Sequence, residues 1–298
     1  MSLKMKRSSA GQIALNVFFV IFCMVIICPL LILVGVSLSN EQDVVNYGYR
    51  IIPMRIDFSA YKYVFKNPGA ILNAYGVTIF SSVTVMILSV FLMCMVAYPL
   101  TRKNFKCRSV LSFYLYFTML FSGGLVPGYI LITKYLHLGN TIWVHILPGL
   151  INPWYVFMIR TFFQGIPDEI AESVFIDGGT DYTVFFKMII PLSKPVIAAV
   201  SLFMFLAKWN DWFTSMMYIT NDRLIALQYL LQRIMSNIQL IQESSGTAAS
   251  SQLMEISEIP AETVRMAMAV VVAGPALVVF PFFQKYFVKG MTVGAVKG

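Results

Sequence analysis

The chain has 298 residues, 58% of them hydrophobic and only 12% charged, with a net charge of +8. Soluble globular domains carry roughly 25% charged residues, and here the apolar residues stand in long blocks, so the composition excludes an ordinary aqueous domain and places the chain in the membrane class. The basic residues flank those blocks instead of forming one solvated patch, which argues against nucleic acid, while four cysteines without a CxxC pair and two isolated histidines argue against a disulfide framework or a metal site.

A spanning helix takes about 20 mostly apolar residues. The first is predicted over about Gln12 to Ser37; its apolar run is too long for a signal-peptide h-region, and no small-residue cleavage site follows. The second covers about Ala70 to Leu100. The third covers about Ser109 to Thr133 and is interrupted at Ser122-Gly123-Gly124. The fourth covers about Thr141 to Phe163, the fifth about Val196 to Ile219, and the sixth about Ala261 to Val288. The expected architecture is an all-α integral membrane protein of six spans forming one domain over 1–298, with a core at 70–288.

Charge orders the connections. Lys4, Lys6 and Arg7 lie at the N-terminus, Arg102, Lys103, Lys106 and Arg108 in the second connection, and Lys285, Lys289 and Lys297 near the C-terminus. Threading six spans puts all three groups on one side, which the positive-inside rule makes the cytoplasm. Both termini are then cytoplasmic, with a tail at 289–298, and the stretches 39–69 and 220–260 lie outside.

The cytoplasmic stretch 164–195 is not a simple loop. It holds Asp168, Glu169, Glu172, Asp177 and Asp181 together with apolar residues at helical spacing, Ile170 and Val174, then Phe185, Phe186, Met188 and Ile189. The pattern predicts an amphipathic helix, a turn at Gly178-Gly179 and a second short helix stopped by Pro191, with Asp177 capping the second helix. Such a half-apolar surface either docks on a partner or lies on the bilayer; its acidic first half is repelled by anionic lipid and favours the partner.

This stretch resembles the EAA loop of ATP-binding-cassette importer permeases, whose pattern is E-A-A, G and I-x-L-P at fixed gaps. Here Glu172-Ser173-Val174, Gly178 and Met188-Ile189-Ile190-Pro191 hold the same gaps, with both alanines replaced. Ile176-Asp177-Gly178 and Pro191-Leu192-Ser193-Lys194-Pro195 match the longer carbohydrate-permease form. Trp209-Asn210-Asp211-Trp212 resembles a fifth-helix element of sugar permeases. The ending from Phe283 is similar to the maltose-type G subunit, and Ser122–Pro127 and Gln228–Leu231 are similar to the LplC-like branch.

The resemblance implies a type I importer permease in the bacterial cytoplasmic membrane. It would form half of the path for a sugar, an oligosaccharide in this branch, beside an F-type permease. Two ATPase subunits carrying ATP and Mg, and an external binding protein, would complete the assembly. Glu172, Asp177, Gly178 and Pro191 would couple to the ATPase. The tail would reach into the ATPase dimer. Within the outer loop, Glu243–Ser251 would either enter the binding protein's cleft or act as a solvated spacer. A non-sugar cargo and a stand-alone secondary transporter are the alternatives; the latter predicts inverted repeats, which are not apparent.

Lys208 falls about halfway along the fifth span, three residues from Asp211, so the two share a helical face and can pair. With Trp209, Asn210 and Trp212 they are read either as a wall of the translocation path, where indoles stack on sugar rings and polar groups bind hydroxyls, or as an ion pair that packs the helices. No phosphate-binding loop, nucleophile–base pair or metal cluster occurs, so the chain is not expected to be an enzyme or to hold a cofactor.

Overall fold

A computed structural model describes residues 9–245 and 260–295. The described residues are helical, with a lone β-bridge between Ser39 and Ile56. The chain divides into two compact units, residues 1–68 with 233–274 and residues 69–232 with 275–298.

The first unit is built on helix α1 (Ser9–Ser37), whose apolar side chains from Ile13 to Leu31 are exposed within the chain. An apolar helix without a covering layer is stable only in lipid or against another subunit. Its end is buried, and there the chain turns back through α2 (Glu41–Tyr47) and α3 (Ser59–Val64). Asn40 caps α2 by accepting the Gln42 amide at 3.1 Å, and its side-chain amide donates to Asp57. Buried Asp43 accepts a 2.6 Å ion-pair bond from Arg55, which holds its carboxyl below the usual carboxylate range.

Gly35 is where this fold-back needs a glycine. A Cβ there would collide with the backbone carbonyls of Arg50 and Ile51. Gly35→Ala is therefore expected to loosen the first unit and lower the temperature at which the purified protein aggregates by several degrees, although alanine is about 1 kcal/mol the better helix former. Gly76→Ala, where a Cβ meets nothing within 4 Å, should leave that temperature level or raise it. Equal behaviour of the two variants would contradict the close approach.

The second unit carries α4 (Pro68–Thr101), α5 (Arg108–Leu120), α6 (Leu125–Ile130), α7 (Pro153–Gln164), α8 (Asp168–Ile176), α9 (Asp181–Thr183), α10 (Ile190–Leu192), α11 (Lys194–Trp209) and α12 (Phe213–Tyr218). Helix α13 (Leu227–Ser245) begins in this unit, and α14 (Ala261–Ala295) ends in it. Val85, Met93 and Ala97 of α4 share one core with Leu115, Val156 and Ile159, Val174, Val184 and Phe185, and Val200 and Met204. The buried face of α4 is lined with small residues, Ala74, Thr78, Ser81, Ser82, Ser89 and Ala97, the composition that lets membrane helices approach closely.

Three helices among the described residues are long and apolar enough to cross a membrane: Gly11–Ser37, Pro68–Thr101 and Ala261–Val279. Two bent pairs raise the number to five, Arg108–Leu120 with Leu125–Tyr135 at 114° and Asp181–Leu192 with Lys194–Trp209 at 77°. The first bend lies at the Ser122–Gly124 break, where Gly124 has φ +86°. The segment expected as the fourth span is not one helix. A 3-10 turn at Ile142–His145 and non-helical chain precede α7, because Pro148, Gly149 at φ +83° and Asn152-Pro153 interrupt it; Asn152 caps α7 by accepting the Trp154 amide at 3.0 Å.

The stretch 220–260, expected to lie outside, is largely helix as far as described, since α13 runs from Leu227 to Ser245. Most of Glu243–Ser251 lies outside the described residues. The tail expected at 289–298 continues α14 to Ala295, and residues 296–298 lie outside the described residues.

Candidate functional site

The stretch 164–195 folds into two short helices joined at a tight corner. Helix α8 buries Ala171 and Val174 and exposes Glu172, Ser173 and Ile176, the last at 86%. It ends in a Schellman motif. The Gly178 amide donates to the Phe175 carbonyl at 3.0 Å, and the Gly179 amide to the Val174 carbonyl at 2.8 Å. Gly178 sits at φ +79°, the left-handed region that glycine enters without a Cβ clash.

Gly179 has a different reason to be glycine. A Cβ on it would lie 2.5 Å from Val174 Cγ1 and 2.8 Å from the Val174 carbonyl. Gly179 was expected in the turn but not among the coupling residues, and its close fit against Val174 is what the sequence does not show. One further expectation is corrected. Asp177 does not cap the second helix; it is the last residue of the α8 corner. Thr180 holds the N-cap position, and its amide donates to the Thr183 hydroxyl at 3.5 Å. Two glycines separate Asp177 from the helix it would have had to reach.

The second helix runs through a π-turn, Val184–Ile189, before α10. Pro191 cannot donate an amide hydrogen, and a widened turn just before a proline accommodates that loss. The bend falls at buried Ser193, whose amide donates to the Ile189 and Ile190 carbonyls at 3.0 and 3.2 Å. Tyr182, 76% exposed, Ile176 and Glu172 are all exposed at the corner. The corner is tied to the end of α4. Tyr98 donates to Asp181 at 2.9 Å, Arg102 donates to the Tyr98 hydroxyl at 2.8 Å, and Lys103 pairs with Asp168 at 3.3 Å. A cavity of about 850 Å³ lies between the turn 101–105 and this loop, lined by Tyr98, Arg102, Glu172, Phe175 and Tyr182.

The second group of expected residues is 208–212, at the break between α11 and α12. Lys208 and Asp211 pair at 2.6 Å, with side chains 12% and 19% exposed. Asp211 also accepts the Thr214 amide at 3.0 Å and the Thr214 hydroxyl at 2.6 Å, so it both neutralises Lys208 and caps α12. Trp209 is buried and stacks on Phe205. Asn210 and Trp212 are exposed, and Gln228 donates to the Asn210 side-chain carbonyl at 3.0 Å. Gln228 and Thr214 were not among the expected residues; Thr214 stands three residues after Asp211, the spacing of an N-cap contact.

Long apolar helices, one of them packed through small residues, are the architecture of a membrane-spanning protein. Residues 90–293 match the family model described as binding-protein-dependent transport system inner membrane component, and the chain belongs to that family. It is 38% identical to Protein LplC of Bacillus subtilis over 91% of this chain and 90% of that one. It is 36% identical to the polygalacturonan/rhamnogalacturonan transport system permease YtcP of the same species, over 94% and 96% of the two chains. Among solved structures, a chain of the crystal structure of a bacterial ABC transporter involved in the import of the acidic polysaccharide alginate superposes with a TM-score of 0.78 at 25% identity, covering 96% of this chain and all of that one. The chain is thus a multi-pass transport subunit of an ATP-binding-cassette importer. Such permeases carry no cofactor themselves and work with a partner permease, an ATPase and a solute-binding protein.

Proposed function

We propose that this permease forms half of the translocation path for an oligosaccharide, in a heterodimer with an F-type permease, above two ATPase subunits that bind ATP and Mg. The chain would cross the membrane six times with both termini cytoplasmic, the segment 141–164 supplying the sixth crossing as a broken span. The corner 164–195 docks in the ATPase through Glu172, Ile176 and Tyr182, with Asp177, Gly178 and Pro191 setting its shape. The observation that carries this reading is the Schellman corner itself: a fixed backbone turn, tied to the end of α4 and exposed at Ile176 and Tyr182. A bare apolar tip beside an acidic side chain suits a protein cleft better than an anionic bilayer surface.

The oligosaccharide cargo is supported by relatives named for polygalacturonan/rhamnogalacturonan and for arabinooligosaccharide transport and by the alginate importer. At 208–212, Trp212 offers an exposed indole face for sugar beside Asn210, whose amide is held by Gln228 and the Leu206 carbonyl, and the Lys208–Asp211 pair holds the turn that presents them. Reconstituted with its partner permease, ATPases and binding protein, the complex is expected to accumulate labelled oligouronides or arabino-oligosaccharides, dependent on ATP and on the binding protein. Accumulation of only amino acids or peptides would overturn the sugar reading, and uptake by this chain alone would overturn the importer reading.

A further inference from the structure

Helix α4 is hydrogen-bonded at both ends to segments far away in sequence. At one end, the Asn73 side chain donates to the Arg223 carbonyl at 2.5 Å, and the buried Thr78 hydroxyl accepts the Leu227 amide at 2.8 Å. Leu227 is the first residue of α13, and the first amides of a helix have no partner within it. Thr78 therefore supplies from another helix the cap that fixes where α13 starts. At the other end, buried Tyr98 makes two contacts with the coupling corner: its hydroxyl donates to Asp181, and its ring lies 5.2 Å from that of Phe185. Arg102 orients it through the 2.8 Å bond to its hydroxyl.

Between these ends α4 is a stiff rod. From Val77 to Tyr98 it contains neither glycine nor proline, the residues at which helices kink. That stretch is about 33 Å long at the usual helical rise, comparable to the hydrocarbon thickness of a bilayer. Its lower half is packed into the common core with α5, α7, α8 and α11, so it has little freedom to bend.

We infer that α4 carries the signal of binding-protein docking across the membrane, from the start of α13 to the coupling corner, as a route separate from the covalent one through α11. Thr78 and Tyr98 are its positioning residues. Displacement of α13 at its first turn shifts Thr78, the rod passes the shift on, and Tyr98 delivers it to Asp181 and Phe185 at the start of the second coupling helix. The inference rests on the importer reading above. Spatial connection alone does not establish coupling, so a double-mutant cycle is the required test.

The readout is ATP hydrolysis by the complete reconstituted complex, with and without sugar-loaded binding protein. Thr78→Val and Tyr98→Phe each remove one hydroxyl while keeping shape. Each is expected to cut the stimulation by binding protein about fivefold, and Thr78→Val, which lies away from the docking corner, is expected to leave basal hydrolysis and assembly of the complex unchanged. The double variant is expected to be no worse than either single one, because breaking a rod at both ends costs what breaking it once costs. Losses that multiply, or stimulation intact in either single variant, would overturn the inference. A variant that lowers only the melting temperature would assign that hydroxyl to stability and count against the inference in the same way. A wild-type complex that no sugar-loaded binding protein stimulates would instead overturn the importer reading, and the inference with it.

Discussion

Gly178→Pro is expected to abolish uptake while the protein still inserts in the membrane. Proline fixes φ near −65°, whereas Gly178 sits at φ +79°, and it removes the amide that donates to the Phe175 carbonyl. The corner would open, and Glu172, Ile176 and Tyr182 would no longer present one surface. Gly178→Ala keeps the amide and pays only the left-handed Cβ penalty of about 1–2 kcal/mol, so it should retain part of the activity. Glu172→Ala leaves the corner intact and should reduce uptake through the docking contact alone. The measurements are sugar uptake in proteoliposomes and co-purification of the ATPase. Normal transport by Gly178→Pro with the ATPase bound would sink the coupling role of this corner.

Asp211→Ala should be the most damaging single change in the 208–212 turn. It removes the partner of a largely buried lysine together with the cap of α12, and breaking such a pair by deleting one member costs about 3–5 kcal/mol. Both the yield of folded protein and uptake should fall. The double change Lys208→Met with Asp211→Leu removes both charges and should recover much of the yield. If the turn lines the path, uptake stays low, because Asn210 and Trp212 remain misplaced. Full recovery of uptake along with yield would show that the pair serves helix packing only.

Much of the architecture was legible because lipid imposes so strong a constraint on composition. The long apolar runs of α1, α4 and α14 could hardly be anything other than spans, and Ser122-Gly123-Gly124 announced its own bend. The fourth span was read as one unbroken helix because hydropathy counts residues and not breaks: Trp143, Val144, Ile146 and Leu147 outweigh Pro148, Gly149 and Pro153 in any average, but those three residues decide the backbone. At the 164–195 corner the motif located the turn, yet not its chemistry. Capping by Thr180 instead of Asp177 depends on where two glycines place the chain. The contact of Tyr98 with Asp181 joins residues that no local pattern connects, and α4 offers a membrane-facing pattern in which a tyrosine and a few serines and threonines look unremarkable among their neighbours.

Helix α14 starts with a cap that comes from the other end of the sequence. Glu41 accepts the Glu262 and Thr263 amides, both at 2.9 Å, and the Thr263 hydroxyl at 2.7 Å, while Tyr49 donates to Glu262 at 2.7 Å. Chains emerge from the ribosome N-terminus first, so Glu41 waits unsatisfied through the synthesis of more than two hundred further residues. The first unit can close only once the last helix has been made and inserted. A ribosome that stalls before residue 262 therefore leaves a half-formed hydrogen-bond socket beside an uncovered apolar helix, a combination by which a quality-control protease could tell an unfinished permease from a finished one.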